Sequence, residues 1–200
     1  IMKEASYYSV FNGKVKCSLC PHDCNIADGK RGICRVRKNE NGILISESYG
    51  QICSMNFDPI EKKPLYHFFP GRIIFSAGSL GCNLHCKNCQ NWEISQANPE
   101  ESQAYACPPE KVVALTRQYN RSSIAYTYTE PTVFYEYARD CARLAAGNGL
   151  KNVFVTNGYM TKEMLADIDG DLHAANVDLK AFSDDFYRRM AAARLKPVLD

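Results

Sequence analysis

The sequence predicts an α/β fold built on a parallel sheet. Four short apolar segments, at residues 73–76, 123–128, 152–156 and 175–179, alternate with longer segments that have helical spacing. Strands that alternate with helices favour βαβ units, and their right-handed crossovers make neighbouring strands parallel. Cysteine or polar residues follow each of the four segments. Because ligands of such sheets bind beyond the carboxyl ends of the strands, we expect the functional site at that edge.

The predicted helices have recognisable ends. Pro108-Pro109 is typical of a helix start, and the next helix ends at Gly147-Asn148-Gly149. Apolar residues spaced by three and four give each of them one buried face. Cys141 lies on such a face and is expected to be a small core residue. Thr161 and Ser183 are predicted to cap two shorter helices.

Residues 1–71 have a different pattern, which predicts a division of the chain into 1–71 and 72–200. Asn41-Gly42 predicts a hairpin turn into a strand at 43–45, with residues 49–55 as its partner. A connector follows at 58–71, where three prolines exclude a long helix. Its charges, Lys62 and Lys63 among them, are expected to be solvated. Both ends of the chain look cut, so we expect a C-terminally incomplete fragment.

A first cysteine group lies near the N-terminus, with the spacing Cys17-x2-Cys20-x3-Cys24-x9-Cys34. The segment is rich in loop-forming residues and has little apolar surface to bury. Four thiolates so close in sequence suit a tetrahedral zinc ion or a second iron–sulfur cluster, and either would hold the loop together. Spacing does not distinguish zinc from iron. Unrelated reduced cysteines are the alternative interpretation.

A second cysteine group directly follows the first predicted strand, at Cys82, Cys86 and Cys89. The spacing C-x3-C-x2-C provides three ligands for a 4Fe–4S cluster, whereas electron-transfer clusters usually take four cysteines. An iron without a protein ligand is an open coordination position, as in catalytic zinc sites. The spacing therefore indicates a cluster that binds a small molecule.

Composition excludes several classes of protein. The chain has 200 residues, 46% of them hydrophobic, and a net charge of +2 without a Lys/Arg block, so nothing points to nucleic acid or to a membrane surface. There is no apolar run of about 18 residues and no signal-peptide pattern. We therefore expect a cytosolic protein with reduced cysteines, in preference to a secreted disulfide scaffold.

Several stretches carry a resemblance to a known family. The chain resembles the radical S-adenosylmethionine (SAM) proteins of the AmmeMemoRadiSam system, which are relatives of pyruvate formate-lyase activating enzyme. The stretches that match are CSLCPHDC (17–24), DPIEKKPLYHF (58–68), GCNLHCKNCQNW (81–92), YTEPT (128–132), VTNG (155–158) and VDLK (177–180).

The resemblance implies a partial TIM-type (β/α)6 barrel, with SAM and a 4Fe–4S cluster at its top. It implies that Cys82, Cys86 and Cys89 hold three irons, and that the fourth iron binds SAM. The reduced cluster would cleave SAM to methionine and a 5′-deoxyadenosyl radical, which abstracts hydrogen from a protein or small-molecule substrate. Activation of a glycyl-radical enzyme is the specific form of this hydrogen-abstraction hypothesis. An electron donor such as ferredoxin or flavodoxin is also implied.

Four residues at the strand ends are candidate SAM ligands. Glu130 could accept from the amino group or the ribose, Lys180 could pair with the carboxylate, and Asp178 or Asn157 could bind ribose hydroxyls. Glu130-Pro131 stands where many relatives have a Gly-Gly-Glu-Pro turn, and Asp178 and Lys180 match an Asp-x-Lys pattern of activating enzymes. The alternatives are a helix N-terminal carboxylate for Glu130, an ion pair for Asp178 and Lys180, and a plain turn at Asn157.

A non-catalytic iron–sulfur or zinc protein, used for electron transfer or as a scaffold, is the alternative function. It accounts for both cysteine groups. It does not account for the charged residues at neighbouring strand ends, so the enzyme is the preferred hypothesis.

Overall fold

The computed structural model describes residues 3–11 and 13–200. Its N-terminal part consists of short antiparallel strands: β1 (Lys3–Glu4), β2 (Tyr8–Phe11), β3 (Lys14–Cys17), β4 (Asn25–Ile26), β5 (Arg37–Glu40) and β6 (Ile43–Ser46). They form two three-stranded sheets, with the orders β2-β3-β4 and β1-β6-β5. These small sheets present the loops that carry the first cysteine group.

The hairpin predicted at Asn41-Gly42 is confirmed, but its predicted partner strand is wrong. Both turn residues have positive φ, 54° and 86°, as a two-residue hairpin turn requires. So short a turn places the preceding residues opposite β6, and β5 is therefore its partner. Residues 49–55 are used elsewhere: β7 (Gln51–Ile52) pairs with a strand at Tyr105–Ala106, and Ser54 begins the next strand.

The remaining elements follow in chain order. They are β8 (Ser54–Pro59), β9 (Ile73–Gly78), α1 (Trp92–Ser95), β10 (Tyr105–Ala106), α2 (Pro109–Gln118), β11 (Ser123–Tyr126), α3 (Tyr135–Gly147), β12 (Lys151–Thr156), α4 (Lys162–Ile168), β13 (Ala174–Val177), α5 (Asp184–Phe186) and α6 (Lys196–Leu199). The segments 60–62 and 99–101 are 3-10 turns, and Tyr187–Ala191 is a π-helical turn that continues α5.

The main sheet has the order β13-β12-β11-β9-β8. The strands β9, β11, β12 and β13 are parallel, which confirms the α/β prediction, and β8 is antiparallel to β9. Residues 54–59 thus extend the main sheet, although they precede the predicted boundary at 71/72. That boundary stays a prediction.

The core lies between the main sheet and the helices. Phe75, Ile124 and Phe154 on the central strands are fully buried, as is Cys141 on α3, which confirms its predicted place. None of the described helices is both long and apolar enough to cross a membrane.

A buried ion pair joins the N-terminal part to the helix α3. The guanidinium of Arg37 donates to the carboxylate of Glu136 at 2.9–3.0 Å, and both side chains are almost completely buried. The same groups bind the backbone of Ser6. Removing either partner would leave a buried charge unpaired, so this pair fixes how β5 meets α3.

Candidate active site at the strand ends

The carboxyl ends of the four parallel strands open onto one cavity of about 560 Å³. It is lined by all seven residues predicted at the strand ends, namely Cys82, Cys86, Cys89, Glu130, Asn157, Asp178 and Lys180. The sheet brings them together because β9, β11, β12 and β13 all end at this edge. Their individual roles stay predictions.

The second cysteine group lies on an irregular loop after β9, held by backbone hydrogen bonds. Gly81 N–H donates to the carbonyl of Ile94, and the N–H groups of His85 and Lys87 donate to carbonyls of the π-helical turn. Gly81 has φ 91°, and a Cβ there would lie 2.8 Å from the carbonyl oxygen of Cys34. Only glycine therefore fits at the start of this loop.

The thiols of Cys82 and Cys89 have polar neighbours. The sulfur of Cys82 accepts from the backbone N–H of Leu84 at 3.4 Å and from the side-chain amide of Asn157 at 3.7 Å. Cys89 Sγ lies 3.3 Å from the Ser95 hydroxyl. Burial raises the pKa of Cys82, and the nearby charge of Glu130 raises it further. A ligated cationic metal would reverse this preference for the neutral thiol.

The cavity beside Cys82, Cys86 and Cys89 has the room that a 4Fe–4S cluster needs and a single ion does not. Among residues 3–11 and 13–200, no three His, Cys, Asp or Glu side chains gather closely enough to hold one metal ion as they stand, and this applies to both cysteine groups. Ligands of a cluster bind different irons, so their sulfurs stand farther apart than the ligands of one ion. Three sulfurs that face a cavity of about 560 Å³ are consistent with that arrangement.

Glu130 lines the cavity, although only 1% of its surface is exposed. Its Oε1 accepts from Thr132 N–H at 3.1 Å, Thr132 Oγ1 at 2.7 Å and Thr156 Oγ1 at 2.6 Å. Its Oε2 accepts from Asn157 N–H at 2.8 Å. Burial raises the pKa of this carboxyl, although these donors lower it in part. Oε2 has the greater remaining capacity to accept a hydrogen bond.

The side chain of Asn157 connects β12 to the cysteine loop. Its amide nitrogen donates to Asn83 Oδ1 at 2.9 Å, and its oxygen accepts from Tyr159 N–H at 2.8 Å. Asn83 in turn donates to the carbonyl of Tyr159 at 2.6 Å. Both ends of the Asn157 amide are thus engaged within the protein, which favours a positioning role over direct ribose binding.

Asp178 and Lys180 follow β13 and form an ion pair of 2.9 Å. Partial burial lowers the pKa of Lys180, but Asp178 and the thiols of Cys86 and Cys82 raise it above its usual value. Its backbone N–H is held by the hydroxyl of Tyr187 at 3.0 Å. A cation so placed can bind a carboxylate, since it stays protonated at neutral pH.

Lys62 and Lys63 also line the cavity, a position that no sequence pattern predicted. Lys63 and Asp58 are 2% and 4% exposed, so the prediction of a solvated connector is wrong for both. Asp58 accepts from Lys62 Nζ and Lys63 Nζ at 2.8 Å each and from Tyr128 OH at 2.7 Å. Burial would raise the pKa of Asp58, but these three donors outweigh it and hold that pKa well below its usual range.

Tyr128 occupies the left-handed region, with φ 71°, at the turn after β11. Thr129 N–H donates to the carbonyl of Thr127 at 2.9 Å, so the three residues form a γ-turn around Tyr128. The strand β9 passes very close to this turn: a Cβ on Gly78 would lie 2.5 Å from the Thr127 carbonyl oxygen. The turn therefore requires a glycine beside it.

The first cysteine group lines a separate, much smaller cavity of about 20 Å³, together with His22 and Arg37. The four residues are Cys17, Cys20, Cys24 and Cys34. Burial raises the pKa of Cys20 to about 12 and that of Cys34 to about 11. All ten cysteines lie in the part of the chain that the structure describes, and none of them forms a disulfide.

Comparison with known proteins gives relatives from Methanocaldococcus jannaschii. The uncharacterized protein MJ0808 is 46% identical over 200 residues, which are all of this chain and 59% of that protein. The chain thus spans less than two thirds of that relative. A putative glycyl-radical enzyme activating enzyme, MJ1632, is 26% identical over 120 residues, which cover 60% of this chain and 44% of that protein.

Among solved structures, that of TYW1 with a lysine-pyruvate adduct bound aligns with 62% of this chain and 49% of that chain, at 18% identity and a TM-score of 0.41. The family model for the radical SAM superfamily matches residues 78–200, from the end of β9 through the cysteine loop and the following βα units. The chain belongs to the radical SAM superfamily.

Proposed function

We propose that the protein is a radical SAM enzyme whose 4Fe–4S cluster is held by Cys82, Cys86 and Cys89. The observation that carries the proposal is the single cavity that joins these three cysteines to Glu130 and Lys180 at neighbouring strand ends. The chemistry that such a cluster supplies is the reductive cleavage of SAM to methionine and a 5′-deoxyadenosyl radical.

The chain's own residues would bind and orient SAM. Lys180, kept protonated by its surroundings, would pair with the carboxylate of the methionine moiety. Glu130 Oε2 would accept from its amino group, because that oxygen accepts only one hydrogen bond. Asp178 at the cavity wall would accept from the ribose hydroxyls.

Asn157 would act on the cysteine loop instead of on SAM. Its amide reaches both Asn83 and the sulfur of Cys82, so it orients the first cluster ligand. Residues that hydrogen-bond to metal ligands commonly orient those ligands in this way.

The substrate is proposed to be a protein or small molecule from which hydrogen is abstracted, with glycyl-radical activation as the specific version. The partial similarity to MJ1632 supports that version. Membership of the AmmeMemoRadiSam group is proposed on the motifs at 58–68 and 128–132, whose residues meet at Asp58 and Tyr128. A ferredoxin or flavodoxin is the proposed electron donor, and the cytosol the proposed location.

The test uses the whole protein, reconstituted with iron and sulfide without oxygen. With SAM and a strong reductant, we expect 5′-deoxyadenosine, and a change in the electron paramagnetic resonance spectrum of the reduced cluster when SAM is added. Replacing Cys86 by Ala should abolish the cluster. Replacing Cys53, a partly buried cysteine outside both groups, should leave it intact.

Two results would contradict the proposal. One is a complete 4Fe–4S cluster that yields no 5′-deoxyadenosine. The other is a fourth side chain of this protein bound to the cluster in the absence of SAM.

A further inference from the structure

We infer that Cys17, Cys20, Cys24 and Cys34 bind one divalent metal ion, zinc or ferrous iron, in a tetrahedral thiolate site that braces the loop carrying Cys82, Cys86 and Cys89. The inference goes beyond the proposed function and does not depend on it. It also decides between the single ion and the cluster that the sequence left open.

The size of the cavity favours a single ion. Its volume of about 20 Å³ is close to the room for one water-sized sphere, about 10–15 Å³. A cluster of four irons and four sulfides needs far more space. The cavity at the strand ends, with about 560 Å³, provides that space for the other cysteine group. Tetrahedral sets of four thiolates are typical of zinc, and also bind iron.

The local backbone already holds the four cysteines on two facing loops. Cys17 N–H donates to the carbonyl of Cys24 at 2.9 Å, which closes the first loop. Asp23 N–H donates to the carbonyl of Cys20 at 3.1 Å within it. The second loop places Cys34 on the same cavity. The sulfurs do not yet converge on one point, so binding requires side-chain rotations about χ1 in a preformed shell.

Arg37 gives an independent indication of a negatively charged ligand set. This residue is 1% exposed and lines the cavity, and its Nε has no hydrogen-bond partner among the described residues. Its other guanidinium nitrogens bind Glu136 and the carbonyl of Ser6. Buried donors are rarely left unpaired. Four thiolates outweigh the charge of a divalent ion, so the loaded site would be anionic and would supply the missing acceptor.

Three contacts connect this site to the loop of the second cysteine group. His22 Nε2 lies 2.7 Å from the carbonyl oxygen of Asn83, and His85 Nε2 lies 3.0 Å from that of Ile33. Gly81 packs so closely on Cys34 that a Cβ would be 2.8 Å from its carbonyl oxygen. Fixing the first group with a metal ion would thereby limit the movement of the second.

The first experiment measures metal and acid-labile sulfide in a variant with Cys82, Cys86 and Cys89 all replaced by Ala. We expect about one zinc or iron ion per chain and no labile sulfide, since only the tetrahedral site remains. Iron accompanied by equal sulfide would show a cluster and overturn the inference, and so would a variant that is folded and binds no metal.

The second experiment uses the otherwise unchanged protein and does not depend on the folding of that variant. Replacing Cys17 and Cys34 by Ser should remove the zinc, or the iron in excess of the cluster, from about one ion to below about a tenth per chain, because the site loses half its ligands. Replacing Cys53 by Ser is the control and should remove none. Cobalt bound in place of the native ion should give the absorption of a tetrahedral thiolate site; its absence overturns the inference.

The bracing is tested by amide hydrogen exchange of residues 81–89. In the Cys17→Ser, Cys34→Ser variant we expect exchange there to be faster by about tenfold or more, because the supporting segment opens locally. Exchange in α2, which carries none of these contacts and no partner of Arg37, should change less. Equal protection of residues 81–89 with and without the ion would overturn the bracing role. This readout needs no SAM cleavage, so its failure is separate from failure of the proposed function.

Discussion

Replacing Glu130 by Gln tests the buried carboxylate beside the cysteine loop. The two side chains have nearly the same shape, so the substitution removes the charge and turns one acceptor oxygen into a donor NH2 group. Two of the four donors to Glu130 are hydroxyls, on Thr132 and Thr156, which can rotate to accept instead. The other two are the backbone N–H groups of Thr132 and Asn157, which cannot.

The magnitude follows from the positions of those two N–H groups. They donate to different oxygens of Glu130, Thr132 to Oε1 and Asn157 to Oε2. Whichever way the new amide is oriented, its NH2 group faces one buried backbone donor. Losing one hydrogen bond to a charged group costs about 1.5–3 kcal/mol. For a protein of this size, that lowers the melting temperature by about 3–12 °C.

The measurement is thermal and urea unfolding without oxygen, followed by far-ultraviolet circular dichroism. Glu163→Gln on an exposed face of α4 is the matched control, and should stay within about 0.5 kcal/mol of the parent. If Glu130→Gln were as stable as that control, the four hydrogen bonds could not be holding a carboxylate. The proposal that a buried Glu130 carboxylate accepts from SAM would then be wrong.

Three further outcomes concern the cavity wall. Lys63→Met should lower the free energy of unfolding, measured in urea, by about 3–5 kcal/mol, because it removes a buried partner of Asp58. Lys62 pairs with Asp58 at the same distance but is 63% exposed, so Lys62→Met should lower that free energy by at most about 1 kcal/mol. Asp58→Asn should be less stable than the parent at neutral pH; because the folded pKa of Asp58 is depressed, that difference should shrink as the pH falls below about 4, and a constant difference would contradict it. Gly78→Ala should destabilise by about 1–3 kcal/mol through its collision with the turn after β11, while Gly170→Ala, which has open space around its Cβ, should not; equal stability of the two would refute the close approach.

The strand ends could be predicted because the relevant signals are local. Each parallel strand is a short apolar run, and the residues after it, such as Glu130 and Asp178, must meet at one edge once the sheet is parallel. The helix ends at Pro109 and Gly147 are equally local, since proline and glycine act on their own turn.

The role of β8 could not be predicted in this way. As an edge strand it buries only Asp58 fully, so it lacks the apolar pattern by which strands are recognised. The burial of Lys63 depends on a partner and an aromatic ring brought from far along the chain. Charged residues in a proline-rich connector are usually exposed, and no sequence pattern marks the exception. For the cavity of the first cysteine group, the sequence showed only the spacing of the cysteines. It did not show that Arg37 lines the same cavity, because that depends on tertiary contacts.

Tyr128 explains why the connector and the turn after β11 form one unit. A γ-turn with positive φ is strained for any residue with a side chain, and glycine would avoid that strain. Here the tyrosine keeps φ at 71°, while its hydroxyl binds Asp58 at 2.7 Å and Lys63 Nζ lies 4.6 Å from its ring centroid. Such strain persists only where surrounding contacts fix the conformation. The buried lysine and aspartate thus hold in place a turn that carries Glu130 two residues later, and this is the physical reason for a charged pair inside a connector.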